Sequence, residues 1–150
     1  MDFDKRHISY SLTPTYASSS LVSVFVELYR YGTGMPHGCS HYTSYNYWFD
    51  GKEMQEINLG SLFLSDKNFA DFLTQFCLSS LEKERIGYCD TPIEITLEDV
   101  QIFTLSKSGL TITFRPYHIG GWADGPYSTT IPFESLKSFI NPQGPLREFL

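Results

Sequence analysis

The sequence has 150 residues, the size of a single domain, and its hydrophobic fraction of 41% is ordinary for a folded chain. Its 17 acidic and 11 basic side chains give a net charge of −6, which argues against broad binding to nucleic-acid phosphates. Aromatic residues make up 16% of the chain, and its 10 Tyr are more than a small core buries with every hydroxyl paired.

The first half of the chain is predicted to be rich in β-strands. Strands are expected at residues 7–12, 21–31, 42–49 and 54–59, with a Gly/Pro break at 32–36. Asp50-Gly51 is a strong hairpin-turn signal. Alternation in the third segment places Tyr45, Tyr47 and Phe49 on one side, and Tyr42, Asn46 and Trp48 on the other. The pattern leaves open which of the two sides faces the core.

Residues 65–86 are predicted to form one long helix. Apolar residues recur at helical spacing along a single stripe: Phe69, Phe72, Leu73, Phe76, Cys77 and Leu81. Ser65 is the expected N-cap, and Gly87 is the expected stop. The stripe is interpreted as core rather than as a binding surface.

The second half returns to β-structure. Strands are predicted at 101–105, 110–114 and 127–131, with a turn at 106–109 and a short helix within 133–140 before the tail at 141–150. In the middle strand, Leu110, Ile112 and Phe114 share one side. We therefore predict a single α+β domain over residues 1–150, with a mostly antiparallel β-sheet, one long packing helix and a short C-terminal helix.

No motif for catalysis or metal binding stands out. His37, Cys39 and His41 lie close together, but in a Gly/Pro loop and without a second spaced pair of ligands, so no metal site is predicted. Cys39 with His41 or His118 would be a Cys-His pair, yet no nucleophile elbow accompanies it. The acidic residues between 90 and 99 are interpreted as a solvated face. We expect no enzymatic activity and no cofactor.

The three cysteines leave the redox state open. A Cys77–Cys89 disulfide is conceivable, and three free thiols, including Cys39, are the alternative. No apolar run has the length of a signal peptide or of a membrane span, so the chain as given is expected not to span a membrane.

An ordered series of short motifs runs along the chain. The C-terminal half carries a strand ending in Phe114, then Tyr117, Trp122-Ala123-Asp124-Gly125, and Ile131-Pro132-Phe133 followed by Leu136. The earlier half carries Tyr31, a turn from Gly34 to His41, an aromatic strand at 45–49, Gly51, and Leu59-Gly60-Ser61-Leu62-Phe63. Together they resemble the C-terminal extracellular domain of RsiV-type anti-sigma factors, a module also found in PdaC-type peptidoglycan deacetylases. The resemblance is strongest over residues 21–140.

The resemblance implies recognition rather than catalysis. It suggests a non-catalytic, extracytoplasmic sensor module that binds lysozyme or another cationic envelope hydrolase, or peptidoglycan, and the net charge of −6 suits a cationic partner. Because the sequence shows no signal peptide, a cytoplasmic location stays open. Two other functions also stay open: an accessory or catalytic part of a deacetylase-type enzyme acting on peptidoglycan, and a purely structural domain.

Aromatic and polar residues in two segments are the candidate binding residues. They are His41, Tyr45, Tyr117, His118, Trp122, Asp124 and Tyr127. Tyrosine and tryptophan combine a large apolar ring with a polar tip, which is the chemistry of anchors in protein interfaces.

Overall fold

The structure, a computed structural model, describes residues 6–84, 92–120 and 125–150, which form two antiparallel sheets. The first sheet has the order β1-β2-β3-β4, with strands at Arg6–Ala17, Leu21–Gly32, Cys39–Phe49 and Met54–Glu56. The second has the order β5-β6-β7, with strands at Phe103–Ser106, Gly109–Phe114 and Tyr127–Ile131. The helices are α1 at Phe69–Glu84 and α2 at Phe133–Leu136, with 3₁₀ turns at Leu59–Leu62 and Pro145–Phe149. The predicted α+β class is confirmed, with the strands divided between two sheets.

The first three strands are longer than predicted, and the fourth is shorter. β1 continues to Ala17 because it pairs with β2 along nearly its whole length, around an irregularity between Pro14 and Tyr16. β4 has only three residues, and the chain then turns into the 3₁₀ segment at Leu59–Leu62. Asn58 begins that segment by accepting a hydrogen bond from the Ser61 N–H.

Helix α1 begins four residues later than the sequence predicted. Asn68, rather than Ser65, is the residue before the helix, and its Oδ1 accepts the Asp71 N–H at 3.4 Å. The described part of the helix ends at Glu84, so the predicted end near residue 86 lies outside the described residues. The predicted stripe does pack into the core: Leu73, Cys77 and Leu81 are fully buried, and its three phenylalanines are half-buried against them.

One hydrophobic cluster joins the two sheets and the helices. Leu110, Ile112 and Phe114 of β6 are at most 1% exposed, which confirms the side of the strand predicted to be apolar. They belong to the same cluster as Leu21 of β2 and Leu73 of α1. Each such side chain contributes about 1.5–3 kcal/mol when it is fully buried, so this cluster is the main source of stability.

Buried polar side chains fasten β5 to the four-stranded sheet. Ser23 Oγ accepts the Leu105 N–H at 2.8 Å and donates to Asn46 Oδ1 at 2.6 Å. Asn46 Nδ2 in turn donates to the Phe103 carbonyl at 2.9 Å. Ser23 is 0% exposed and Asn46 3%. Because each of these groups finds a partner, their burial does not carry the penalty of an unmade hydrogen bond.

Two further hydroxyl groups complete this set. Ser44 Oγ accepts the Phe103 N–H at 3.2 Å. Thr15 is the residue left without a cross-strand partner at the irregularity in β1, and its hydroxyl lies 2.9 Å from Ser23 Oγ. We call Thr15, Ser23, Ser44 and Asn46 the polar clamp. The side chains of Ser23, Ser44 and Asn46 satisfy edge groups of β5 that a neighbouring strand would otherwise pair, and Thr15 binds Ser23.

The clamp answers which side of β3 faces inward. Since Ser44 and Asn46 bind β5, the even-numbered side of β3 is the inner one, and the odd-numbered side faces outward. Tyr42 follows the same alternation, and its ring stacks on Phe25 with centroids 5.7 Å apart. Burial raises the pKa of the Tyr42 hydroxyl, and nearby Glu27 adds to this rise.

Gly109 is predicted to be required at the start of β6. Its φ of 149° is unfavourable for side chains, and a Cβ there would collide with the backbone carbonyl of Ile131. We expect Gly109→Ala to lower the free energy of unfolding by about 1–3 kcal/mol through backbone strain, and further by displacing β7. Gly34→Ala is the control, because Gly34 has a φ of 87° with open space around it. If urea unfolding shows the same loss of unfolding free energy for both variants, the predicted collision is wrong.

Candidate recognition surface

The outward side of the four-stranded sheet carries an extended row of apolar side chains. We call this side the outer face, and its register brings together Ile8, Tyr10 and Leu12 of β1, Val22, Val24, Val26 and Leu28 of β2, Tyr45, Tyr47 and Phe49 of β3, and Met54 of β4. Tyr10 and Leu12 are each 67% exposed. Large contiguous apolar surfaces are uncommon on soluble domains and often mark binding sites.

The aromatic strip is the part of the outer face nearest the β3–β4 turn. It consists of Tyr45, Tyr47, Phe49 and Met54, which are between 37% and 57% exposed. Phe49 pairs directly with Met54 across the two strands, and Tyr47 pairs with Glu56. The strip therefore presents three aromatic rings on a rigid strand, with a carboxylate at its edge.

An acidic turn borders the aromatic strip. Residues 50–56 hold Asp50, Glu53 and Glu56 against the single basic residue Lys52. The backbone N–H groups of Glu53 and Lys52 donate to the Asp50 carboxylate and hold its pKa below the ordinary value. Asp50 is therefore ionised across the physiological range, and the strip has a negative rim.

His41 lies on the outer face toward the other end of β3. Its Nε2 is 2.6 Å from an Arg30 guanidinium nitrogen and 3.7 Å from Cys39 Sγ. A guanidinium group only donates, so this ring nitrogen accepts the hydrogen bond from Arg30. The nitrogen nearest the thiol is thus already occupied. Of the predicted binding residues, His41 and Tyr45 share one side of one strand.

Tyr117 and His118 contact residues that sequence patterns did not connect with them. The Tyr117 hydroxyl is 3.3 Å from His37 Nε2, which links the segment after β6 to the loop before β3. Tyr117 has a φ of 69°, an unusual conformation for a bulky residue, and it is exposed. His118 Nε2 lies 3.3 Å from Asp99 Oδ1, and its ring stacks on Phe114.

The remaining predicted binding residues divide into two groups. Tyr127 begins β7 opposite Phe114 and is half-buried against the core. Trp122 and Asp124 lie outside the described residues.

Sequence reasoning did not select Tyr47, Met54 or Glu56. The alternation of Tyr45 and Tyr47 along one strand was the available signal, but it did not show which side of the strand was exposed.

The thiols and the remaining ionisable groups do not form a metal cluster in the described parts of the chain. Over residues 6–84, 92–120 and 125–150, no three His, Cys, Asp or Glu side chains converge to hold a metal ion. Cys39 and Cys77 are free thiols there, and burial raises the pKa of Cys77 to about 12. Cys89 lies outside the described residues.

No helix within residues 6–84, 92–120 and 125–150 is long and apolar enough to cross a membrane.

A known family matches half of the chain. The model of DUF3298, described as a protein of unknown function, matches residues 60–134. These residues include α1 and β5-β6-β7 up to the start of α2, together with all but the first residue of the 3₁₀ segment before α1. No curated protein sequence is significantly similar to the chain.

Solved structures share the fold. A DUF3298 family protein from Pseudomonas aeruginosa PAO1 has a TM-score of 0.66 and 15% identity, over 89% of this chain and 62% of that one. A family member from Bacteroides fragilis NCTC 9343 has a TM-score of 0.68 and 22% identity, over 95% of this chain and 58% of the other. The chain thus spans about three-fifths of the length of these two structures. At such identities the similarity concerns the fold alone.

The hydrogen bonds from Thr96 to the Asp99 carboxylate, together with the nearby charges of His118 and Arg115, make stability depend on pH. Burial raises the pKa of Asp99, but hydrogen bonds from Thr96 and the positive charges of His118 and Arg115 outweigh it, so the net pKa is lowered. A lowered folded-state pKa stabilises the fold above about pH 4 and loses that contribution as the pH falls further. We expect Asp99→Asn to be about 1 kcal/mol less stable than the parent at pH 7.

The difference between Asp99→Asn and the parent protein should shrink as the pH falls below about 4, where the parent carboxylate also becomes protonated. Urea unfolding at a series of pH values measures this change. Glu98→Gln is the matched control at the neighbouring, exposed position and should show no such dependence. If the free energies of unfolding of Asp99→Asn and the parent differ by the same amount from pH 7 to pH 3, the ionised Asp99 carboxylate does not stabilise the fold as proposed.

Proposed function

The chain belongs to the DUF3298 family, whose description assigns no function, and we propose that it is a non-catalytic binding module. In this proposal it recognises a protein partner through the aromatic strip. The exposure of Tyr45, Tyr47 and Phe49 on a rigid strand is the observation that carries this proposal. Tyrosine side chains are enriched among the residues that dominate protein interfaces, because they bury a large area at a small entropic cost.

The charge around the strip favours a cationic partner. Asp50, Glu53 and Glu56 form an acidic edge beside the aromatic rings, and the chain as a whole has a net charge of −6. An apolar centre with a charged rim is the usual arrangement of a specific interface. Complementary charge would speed association and make it sensitive to salt.

The resemblance to RsiV-type modules suggests which class of protein the partner belongs to. Those modules recognise lysozyme outside the cytoplasm, and lysozymes are commonly cationic. We therefore propose an extracytoplasmic module whose partner is a lysozyme or another cationic hydrolase of the cell envelope. The aromatic strip with its acidic rim is the surface that such a protein would contact.

Two contacts support a binding role over catalysis. Arg30 donates to the ring nitrogen of His41 that is nearest Cys39, so this nitrogen is not free to take the thiol proton. Asp99 holds His118 against Phe114, and the small cavity beside them has a volume of about 80 Å³. Among residues 6–84, 92–120 and 125–150, neither histidine has a thiol or hydroxyl group positioned to give up its proton to a free ring nitrogen.

Titration with hen egg-white lysozyme tests the proposal. We expect binding that weakens as salt is added and that is lost when the lysine residues of the lysozyme are succinylated, because the added negative charges repel the acidic rim. Replacing both Tyr45 and Tyr47 by Ala should weaken binding at least about tenfold, as expected for residues near an interface centre. Calorimetry or surface plasmon resonance measures both effects.

Tyr31→Ala is the matched control for this experiment. Tyr31 and Tyr45 are both 44% exposed, but they lie on opposite sides of the same sheet. The control variant should bind lysozyme within about twofold of the parent protein. The proposed function would be contradicted if the protein bound neither lysozyme nor other cationic wall hydrolases. It would also be contradicted if Tyr31→Ala lost as much affinity for lysozyme as the variant in which Tyr45 and Tyr47 are both replaced by Ala.

A further inference from the structure

A separate polar cavity lies where the end of the four-stranded sheet meets the C-terminal turn. It has a volume of about 230 Å³, and the residues that line it include Trp48, Gln55, Glu56, Asn58, Asn141 and Gln143. Sites for drug-sized ligands span about 300–1,000 Å³, so this cavity suits a single ring. We propose that it is a saccharide-binding subsite that accepts one pyranose ring.

Trp48 gives the cavity an aromatic wall whose position is fixed. Its side chain is on the inner side of β3, half-buried against the core, and Gln55 lies directly opposite on β4. The Arg147 guanidinium carbon lies 5.5 Å from the centre of the indole ring. The part of the indole ring that Arg147 does not cover is the apolar surface that Trp48 offers to the C–H side of a sugar ring.

Turn hydrogen bonds orient the two asparagine side chains. Asn58 Oδ1 accepts the Ser61 N–H at 2.9 Å, and Asn141 Oδ1 accepts the Gln143 N–H at 3.0 Å. With the oxygens engaged in this way, the two NH₂ groups are the donors that these residues can offer to a ligand. Both groups are held by short turns rather than by flexible loops, so little ordering would be needed on binding.

The other polar groups supply acceptors. Gln55 Nε2 donates to Asp50 Oδ2 at 2.9 Å, which leaves its Oε1 as an acceptor, and Glu56 adds a carboxylate. Sugar hydroxyls both donate and accept hydrogen bonds, so a mixed set of donors and acceptors around one aromatic ring matches them. Among the described residues that line the cavity there is no Lys, Arg or His, which disfavours phosphate and other anions as ligands.

The subsite and the aromatic strip lie on opposite sides of β3, and Glu56 borders both. Trp48 is on the inner side of β3, whereas Tyr45 and Tyr47 are on its outer side. The two proposals can therefore fail separately. Tyr45→Ala should leave saccharide binding unchanged, and Gln143→Ala should leave lysozyme binding unchanged.

NMR titration of the whole chain with two neutral probes, the trisaccharide of N-acetylglucosamine and maltotriose, tests the subsite. Binding of either probe should shift the indole N–H signal of Trp48 and the side-chain NH₂ signals of Asn58 and Asn141. Gln143→Ala should weaken that binding at least about fivefold. Gln143 is exposed, so its loss should not unfold the protein.

Gln75→Ala is the control, because Gln75 is another exposed glutamine, on α1. Trp48→Phe is a second test that keeps an aromatic ring in the packed position but reduces its area, and it too should weaken binding. Failure of both trisaccharides to bind at 10 mM, shifts confined to residues outside the cavity, or equal affinity in Gln143→Ala would overturn the proposal.

Discussion

The hydrogen bonds of Ser23 and Asn46 hold the two sheets of this protein in one arrangement. Between them, these two buried side chains bind the Leu105 N–H and the Phe103 carbonyl of β5. They also bind one another, so neither leaves an unpaired polar atom in the interior. If either side chain were removed, the groups that it binds would stay buried without a hydrogen-bond partner, which costs about 1–3 kcal/mol for each group. The contact therefore favours one register of β5 over its alternatives.

Both proposed binding sites follow from this arrangement. Because Asn46 is fixed toward β5, the alternation of β3 turns Tyr45 and Tyr47 to the outer face and Trp48 to the inner side. Outward, the tyrosines form an exposed surface beside the acidic turn. Inward, Trp48 reaches the end of the sheet, where Arg147 and the C-terminal turn pack around it. One strand thus contributes to two sites of different chemistry.

Patterns of apolar residues predicted the parts of the fold that depend on burying area. The stripe of α1 and the buried side of β6 repeat at regular spacing, so Leu73, Cys77, Leu110 and Ile112 were placed correctly. The inner side of β2 and β3 was not predictable in this way, because Ser23, Ser44 and Asn46 are polar residues typical of exposed positions. Their burial depends on the edge of β5, more than 50 residues away in sequence. Alternation therefore grouped Tyr45 with Tyr47 and Phe49, but it did not show that this side of β3 is exposed or that Met54 lies beside it.

A double-mutant cycle on Ser23 and Asn46 tests the central claim most directly. The free energies of unfolding of Ser23→Ala, Asn46→Ala and the double variant would be measured by urea denaturation and compared with the parent. If the two side chains form one buried unit, each single variant loses at least about 1 kcal/mol, and the double variant loses less than the sum by about 1 kcal/mol or more. Additive losses within about 0.5 kcal/mol would contradict the claim that this contact fixes how the sheets meet.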